Sequence, residues 1–277
     1  MISNHCLRAG ACTNIVCFLS ASASAYETDQ LTNRSQDVAD STDVLNREVN
    51  FAIAAVLAEW DEGQDRKQFA YRLYCQIGGA NWVDQLEEFA MFSPEIDRID
   101  AGRWDGGIHG DLAMRRSRIV YFTGVSKTIR LNGEHIGTDK IGHFISQGRK
   151  FYKRYLRDGD EVRAAERSAY TERAIFGKLL AGAYSNADLV ANYEGYRFYR
   201  SLFEDDVVPG KPSILRWESS TWVMQRPFDW SDHVNEYWDE ALNPSHYDAL
   251  LYGRMLERFV EYCPQYWREP DLCRRNP

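Results

Sequence analysis

Long hydrophobic runs, cysteine and clustered basic charge are all scarce in this chain of 277 residues. Each scarcity excludes something. Beyond the N-terminal segment no run of about 18 apolar residues occurs, so no transmembrane helix is expected in the mature chain. Six cysteines are present, and their spacing does not fit a zinc site. The densest basic run is Arg149, Lys150, Lys153, Arg154 and Arg157, followed at once by Asp158, Asp160 and Glu161. With a formal net charge of -8, this points away from a nucleic-acid surface and from charge-driven adsorption to anionic lipid. Gly-x-Ser-x-Gly, His-Glu-x-x-His and Cys/His nucleophile patterns are also missing, as is any internal repeat. What remains is 44% hydrophobic and 27% charged, with a mean hydropathy of -0.51, an ordinary soluble globular composition.

Residues 1–25 read as a secretion signal. Arg8 is their one charge, a weakly apolar run from Ala9 to Leu19 follows, and Ala23-Ser24-Ala25 fits a small-residue cleavage site. Tyr26 then starts the mature chain, and the expected location is periplasmic or secreted. Export removes three cysteines and leaves Cys75, Cys263 and Cys273. A Cys263–Cys273 disulfide would staple the C-terminal tail, while Cys75, in an apolar pattern, reads as a buried thiol.

Residues 26–43 are polar and read as a flexible segment. Residues 44–277 read as one mainly α domain, a multi-helix bundle with one short β-hairpin before its central helix. Apolar residues at helical spacing predict helices over Asp43–Trp60, Lys67–Gln76, Trp82–Phe92, Glu161–Leu180, Ser185–Phe203 and Pro244–Tyr262. Residues 94–114 form a glycine-rich loop in which Asp105 and His109 could line a cleft. Arg118–Gly124 and Ile214–Val223 read as extended, and Asn132-Gly133 marks a hairpin turn.

The central helix starts after Thr138, a suitable N-cap, and carries an apolar stripe of Ile141, Phe144, Ile145, Gly148, Tyr152 and Tyr155. Asp139, His143 and Gln147 form a row nearly opposite that stripe. A carboxylate beside an imidazole can fix a tautomer for acid/base work, or both can ligate a divalent metal. The plainer reading gives Asp139 to the helix dipole and His143 to a solvated face with Lys140, Lys150 and Arg154; the sequence alone favours it. In Ser185–Phe203, Asp188, Ala191, Asn192, Gly195, Tyr199 and Leu202 share a face. A buried Asp188 there would need a partner, Arg197 or Arg200 among the candidates, and Gly195 would admit a close neighbour.

Two of these stretches, IGTDKIGHF (136–144) and ADLVANYEGYRF (187–198), resemble exported bacterial proteins of uncharacterised function with IG-x-DK-x-GHF and ADL-x-ANY-x-G-x-RF signatures. FDWSDHVNEYWDEALNPSHY (228–247) looks like part of the same pattern. The DK-x-x-HF core alone is similar to YfiM-type lipoproteins and VanZ-like membrane proteins. This chain lacks the membrane spans of the latter and the Leu-small-small-Cys context of a lipoprotein. The resemblance implies a bacterial envelope protein and brings no reaction with it.

Two functions stay open. The favoured one is a non-catalytic envelope protein that binds glycan, lipid or a protein partner through its aromatic C-terminal region. The alternative is a hydrolase of envelope material, peptidoglycan or another glycan. In that reading Asp139 and His143 are acid/base groups or metal ligands, facing Asp188, Asn192 and Glu134 across a cleft.

Overall fold

The computed structural model describes residues 28–79, 83–100, 125–171, 183–243, 245–247, 252, 253, 256 and 257. The expected signal, Trp82, Asp105, His109, the Arg118–Gly124 strand, and Cys263 with Cys273 lie outside them.

Helix α1, Thr42–Ala58, buries Leu45, Val49, Ala52, Ile53 and Val56, the one-sided spacing that a helix against a core needs. Helix α2, Arg66–Ile77, is started by the Asp65 side chain, which accepts from the Gln68 N–H. It buries Phe69, Leu73 and Ile77 against α1. Helix α3 is Gln85–Phe92. Strands β1, Thr128–Leu131, and β2, Glu134–Gly137, pair antiparallel with Leu131 opposite Glu134. Their turn places Asn132 at φ 52° and Gly133 at φ 83°, the two left-handed positions that make Asn-Gly the favoured pair for such a hairpin.

The hairpin delivers the chain into α4, which has three consecutive parts: α-helix Asp139–Gly142, π-helix His143–Gln147 and α-helix Gly148–Asp158. Gly159 closes it in the left-handed conformation. Helix α5, Glu161–Thr171, follows. Helix α6, Asn186–Ser201, is capped by Ser185 Oγ, which accepts from the Asp188 N–H. Strands β4, Leu215–Glu218, and β5, Thr221–Met224, form a second hairpin. Two 3-10 turns follow, Trp230–Asp232 and Glu236–Trp238. The short strand β3, Ala183–Tyr184, pairs with β6, His246–Tyr247. The domain is therefore mainly α, with a short hairpin before its central helix.

Helices α4 and α6 form the centre. A Cβ on Gly148 would lie 2.5 Å from Gly195 Cα, and one on Gly195 would overlap the Phe144 carbonyl, so the two backbones touch. Only glycine fits at that crossing, as the sequence pattern at Gly195 implies. Around it Phe144 packs on Phe198 at 5.2 Å and on Trp230 at 4.7 Å between ring centroids, with Trp238 and Phe228 behind. No helix among the described residues is long and apolar enough to cross a membrane.

Three expectations need correction. The stretch read as flexible packs against the domain from residue 28 onward, with Thr28, Asp29 and Gln30 each at most 2% exposed. Arg34 reaches across to pair with Asp239 and holds this segment down. Residues 246–247 are strand, where the pattern predicts the first turn of a helix. Thr138 occupies the N-cap position of α4 without capping it, since its Oγ is buried and makes no hydrogen bond. The aromatic C-terminal segment is largely core: Trp230 and Trp238 are 0% exposed, Phe228 1% and Trp222 6%, while Tyr237 is 55% exposed. The buried rings fill space between helices, their commonest use.

Candidate functional site

The Asp139 row does not face solvent. Asp139 is 2% exposed, Lys140 1%, His143 5% and Gln147 4%. Periodicity assigns the row to water because a helix ordinarily has one buried face. Here α6 covers one side of α4, and residues 28, 126 and 240 reach the first turn of α4 or its partners from elsewhere. The reading of Lys140 and His143 as a solvated face is overturned by that packing.

The structure brings all four expected residues together. His143 Nδ1 lies 3.0 Å from Asn192 Oδ1, and His143 Nε2 lies 3.2 Å from Asp188 Oδ2. One donor atom from each of Asp139, His143 and Asp188 lies within 4.8 Å of the other two. Asp139 opens α4 and His143 begins its π turn, so a single helix presents both. Asp188 and Asn192 are four apart on α6 and project from the same face. Glu134, on β2, makes no hydrogen bond or ion pair to this group; Asp239 and Glu236 are its electrostatic neighbours.

Lys140 and Glu240 complete the cluster, and sequence reasoning missed both. Lys140 Nζ sits 2.6 Å from Asp139 Oδ2, 2.6 Å from Asp188 Oδ1 and 2.6 Å from Glu240 Oε1. Asp188 therefore pairs with Lys140, while Arg197 binds Glu194 and Arg200 binds Glu204 and Glu161. Ser126 Oγ lies 3.2 Å from Asp139 Oδ1 and 3.0 Å from Thr28 Oγ. Ser185 Oγ, already the α6 cap, donates to Glu240 Oε1 at 2.8 Å. A Cβ on Gly137 would overlap Thr28 and Asp139, so the glycine before the helix leaves room for the carboxylate. The signal for Lys140 was its place beside Asp139 in the DK pair. Glu240 was hidden in an acidic, aromatic run with no spacing to single it out.

Charge follows from these contacts. Burial alone would lower the Lys140 ammonium, but Asp139, Asp188 and Glu240 outweigh it and hold the pKa well above the usual lysine range. Burial raises the Asp188 carboxyl, and His143 and Lys140 together overcome that, leaving it below the ordinary carboxylate range. Burial pushes Glu240 up to about 7, with Lys140 pulling the other way. Glu240 is thus the group here that can hold a proton near neutrality.

The imidazole has a further constraint. With Asn192 Oδ1 as acceptor, Nδ1 carries the ring proton. Nε2 then faces the Asp188 carboxylate, and something positive must lie between two acceptors: a second proton or a metal ion. A ligating histidine ordinarily donates its other ring N–H to an oxygen acceptor, the place that Asn192 Oδ1 takes here. π-helical turns are themselves concentrated at functional positions. Comparison of the chain with family models, with curated proteins and with solved structures finds no match in any of the three.

Proposed function

We propose that the protein is a divalent-metal hydrolase of the bacterial envelope, with the ion held by Asp139, His143 and Asp188. The observation that carries this is the His143–Asp188 pair, two acceptors 3.2 Å apart once Nδ1–H donates to Asn192 Oδ1. Two ligands about 2.1 Å from a shared ion sit roughly 3.0–3.4 Å apart for angles between octahedral and tetrahedral. The charge count agrees. With Glu240 able to hold a proton, the three carboxylates against Lys140 leave one to two negative charges, which a divalent ion would offset. Three protein ligands would leave positions for water, and a bound ion would supply the Lewis acidity that makes such water a nucleophile for hydrolysis. Lys140, in contact with all three carboxylates, holds them in place. The envelope setting rests on the signal-like residues 1–25 and on the resemblance carried by 136–144 and 187–198. Peptidoglycan or another envelope glycan is the substrate class it implies.

A second reading has its own observation. Lys140 already stands among three carboxylates, so a protonated His143 would complete a metal-free structural network in a non-catalytic binding protein. Elemental analysis of purified residues 26–277 separates the two. The hydrolase reading expects near-stoichiometric divalent metal, lost in His143→Ala, with affinity about 10–100-fold weaker in Asn192→Ala. The metal-loaded protein, and not His143→Ala, should release soluble fragments from purified peptidoglycan. A well-folded protein that takes up no zinc, manganese or iron from micromolar solutions would leave the structural network standing instead.

A further inference from the structure

The second half of α4 carries a different feature. Lys150, Lys153, Arg154 and Arg157 recur at i, i+3, i+4 and i+7, so they line one stripe, and Lys67 on α2 faces them. Between them lies a cavity of about 460 Å³, whose described lining is those five cations and Leu156, with no carboxylate. Opposite the stripe, Phe151 and Tyr152 are buried in the core, which fixes the helix rotationally and keeps the cations pointed outward.

The sequence suggests that the following acidic run neutralises this stripe. In the structure Asp158 takes Arg157 at 2.7 Å, at the far end of the stripe, and is shared with Arg167 at 3.2 Å. Arg149, the remaining base of the run, is drawn to the other helix, over the Tyr74 ring at 4.2 Å. Lys67 and Lys153 have no ion pair among the described residues, and both are exposed. A concave site walled by lysine and arginine stems, in a chain of net charge -8, concentrates positive potential where the rest of the molecule repels anions.

We propose that this cavity is a binding site for a soluble, multiply phosphorylated small molecule. Several like charges converging on one space favour a ligand with more than one anionic group, and the volume is that of a small-molecule pocket. Lysine is a point-charge phosphate binder, and Lys67 and Lys153 are the exposed ammonium groups on either side of this space. The stripe lies on the part of α4 beyond the π turn, separate from Asp139 and His143, so the proposal does not depend on the metal reading.

The test is calorimetric titration of residues 26–277 with fructose 1,6-bisphosphate, with fructose 6-phosphate alongside. The expected result is saturable one-to-one binding of the bisphosphate that weakens as salt is raised, and clearly weaker binding of the monophosphate. Lys67→Gln/Lys153→Gln changes two exposed positions, and the variant should keep the wild-type melting temperature. It should bind about a hundredfold more weakly, about tenfold for each ammonium removed. No saturable binding at 50 mM salt would overturn the proposal. So would equal affinity in the double variant, or binding only to vesicles of 30% phosphatidylglycerol in phosphatidylcholine.

Discussion

Replacing Lys140 by Met removes the charge at the centre of the cluster while nearly keeping the side chain's length. Three carboxylates, each 2.6 Å from Nζ, would then face one another in the interior without their cation. Breaking a buried ion pair by deleting one partner costs about 3–5 kcal/mol. For a domain of this size each kcal/mol moves the midpoint by about 2–4 °C, so Tm should fall by roughly 6–20 °C at pH 7.5. The pH dependence follows from the sign of the shifts. Burial already raises Glu240 to about 7 with Lys140 present, and losing the ammonium, which pulls it down, raises it further. A carboxyl with a raised folded pKa contributes stability below its unfolded pKa and loses it as pH rises through the folded one. The deficit against wild type should therefore shrink between pH 7.5 and pH 5.5. Calorimetric melts at both values decide it. A deficit under about 2 °C at both, or one that grows on acidification, would refute the view that Lys140 compensates buried negative charge.

Asp84 gives a second pH prediction, at a separate position. It is buried, accepts from Ser146 Oγ at 2.6 Å, and burial pushes its carboxyl from 3.8 up to about 7. Its contribution is complete below about 4 and lost as pH rises to about 7, at most ~4 kcal/mol for some three units at 1.4 kcal/mol each. Asp84→Asn should flatten that part of the profile in urea denaturation from pH 4.5 to 8, and parallel profiles would contradict it. Gly195→Ala would drive a methyl into the Phe144 carbonyl and separate α4 from α6, costing ~3 kcal/mol. Because Phe144 follows His143, the metal proposal expects the same variant to take up less divalent ion, measurable beside its denaturation curve.

Much of this architecture is legible in the residues themselves. Asn132-Gly133 announces its hairpin because two successive left-handed positions suit few other pairs. The faces of α1 and α2 read out directly, since each has one buried side, whereas α6 also buries Glu194, Tyr196 and Phe198 outside the face its pattern marks. Gly195 is legible as a place of close approach. The failures share a cause. A central helix covered on more than one side defeats the rule that polar residues mark water, so Asp139, Lys140 and His143 look solvated. Lysine in particular is almost never fully buried without partners, and its partners come from α6 and from residue 240, far apart in sequence. The same remoteness conceals Glu240 and Ser126. The π turn leaves no trace in the pattern, because one extra residue in five is within the tolerance of any helical stripe.

That π turn separates two jobs within one helix. Asp139 is tied through Lys140 to Asp188, and Gly148 is seated on Gly195 of the same neighbouring helix. A π turn carries one extra residue as a bulge, its five residues covering about the rotation and rise that four cover in plain α-helix. Removing one residue between the two attachments would therefore restore plain α-helix and leave both nearly in register. What would go is the bulge that begins at His143. The extra residue thus bears on how His143 is presented, and the anchoring of the helix ends does not depend on it.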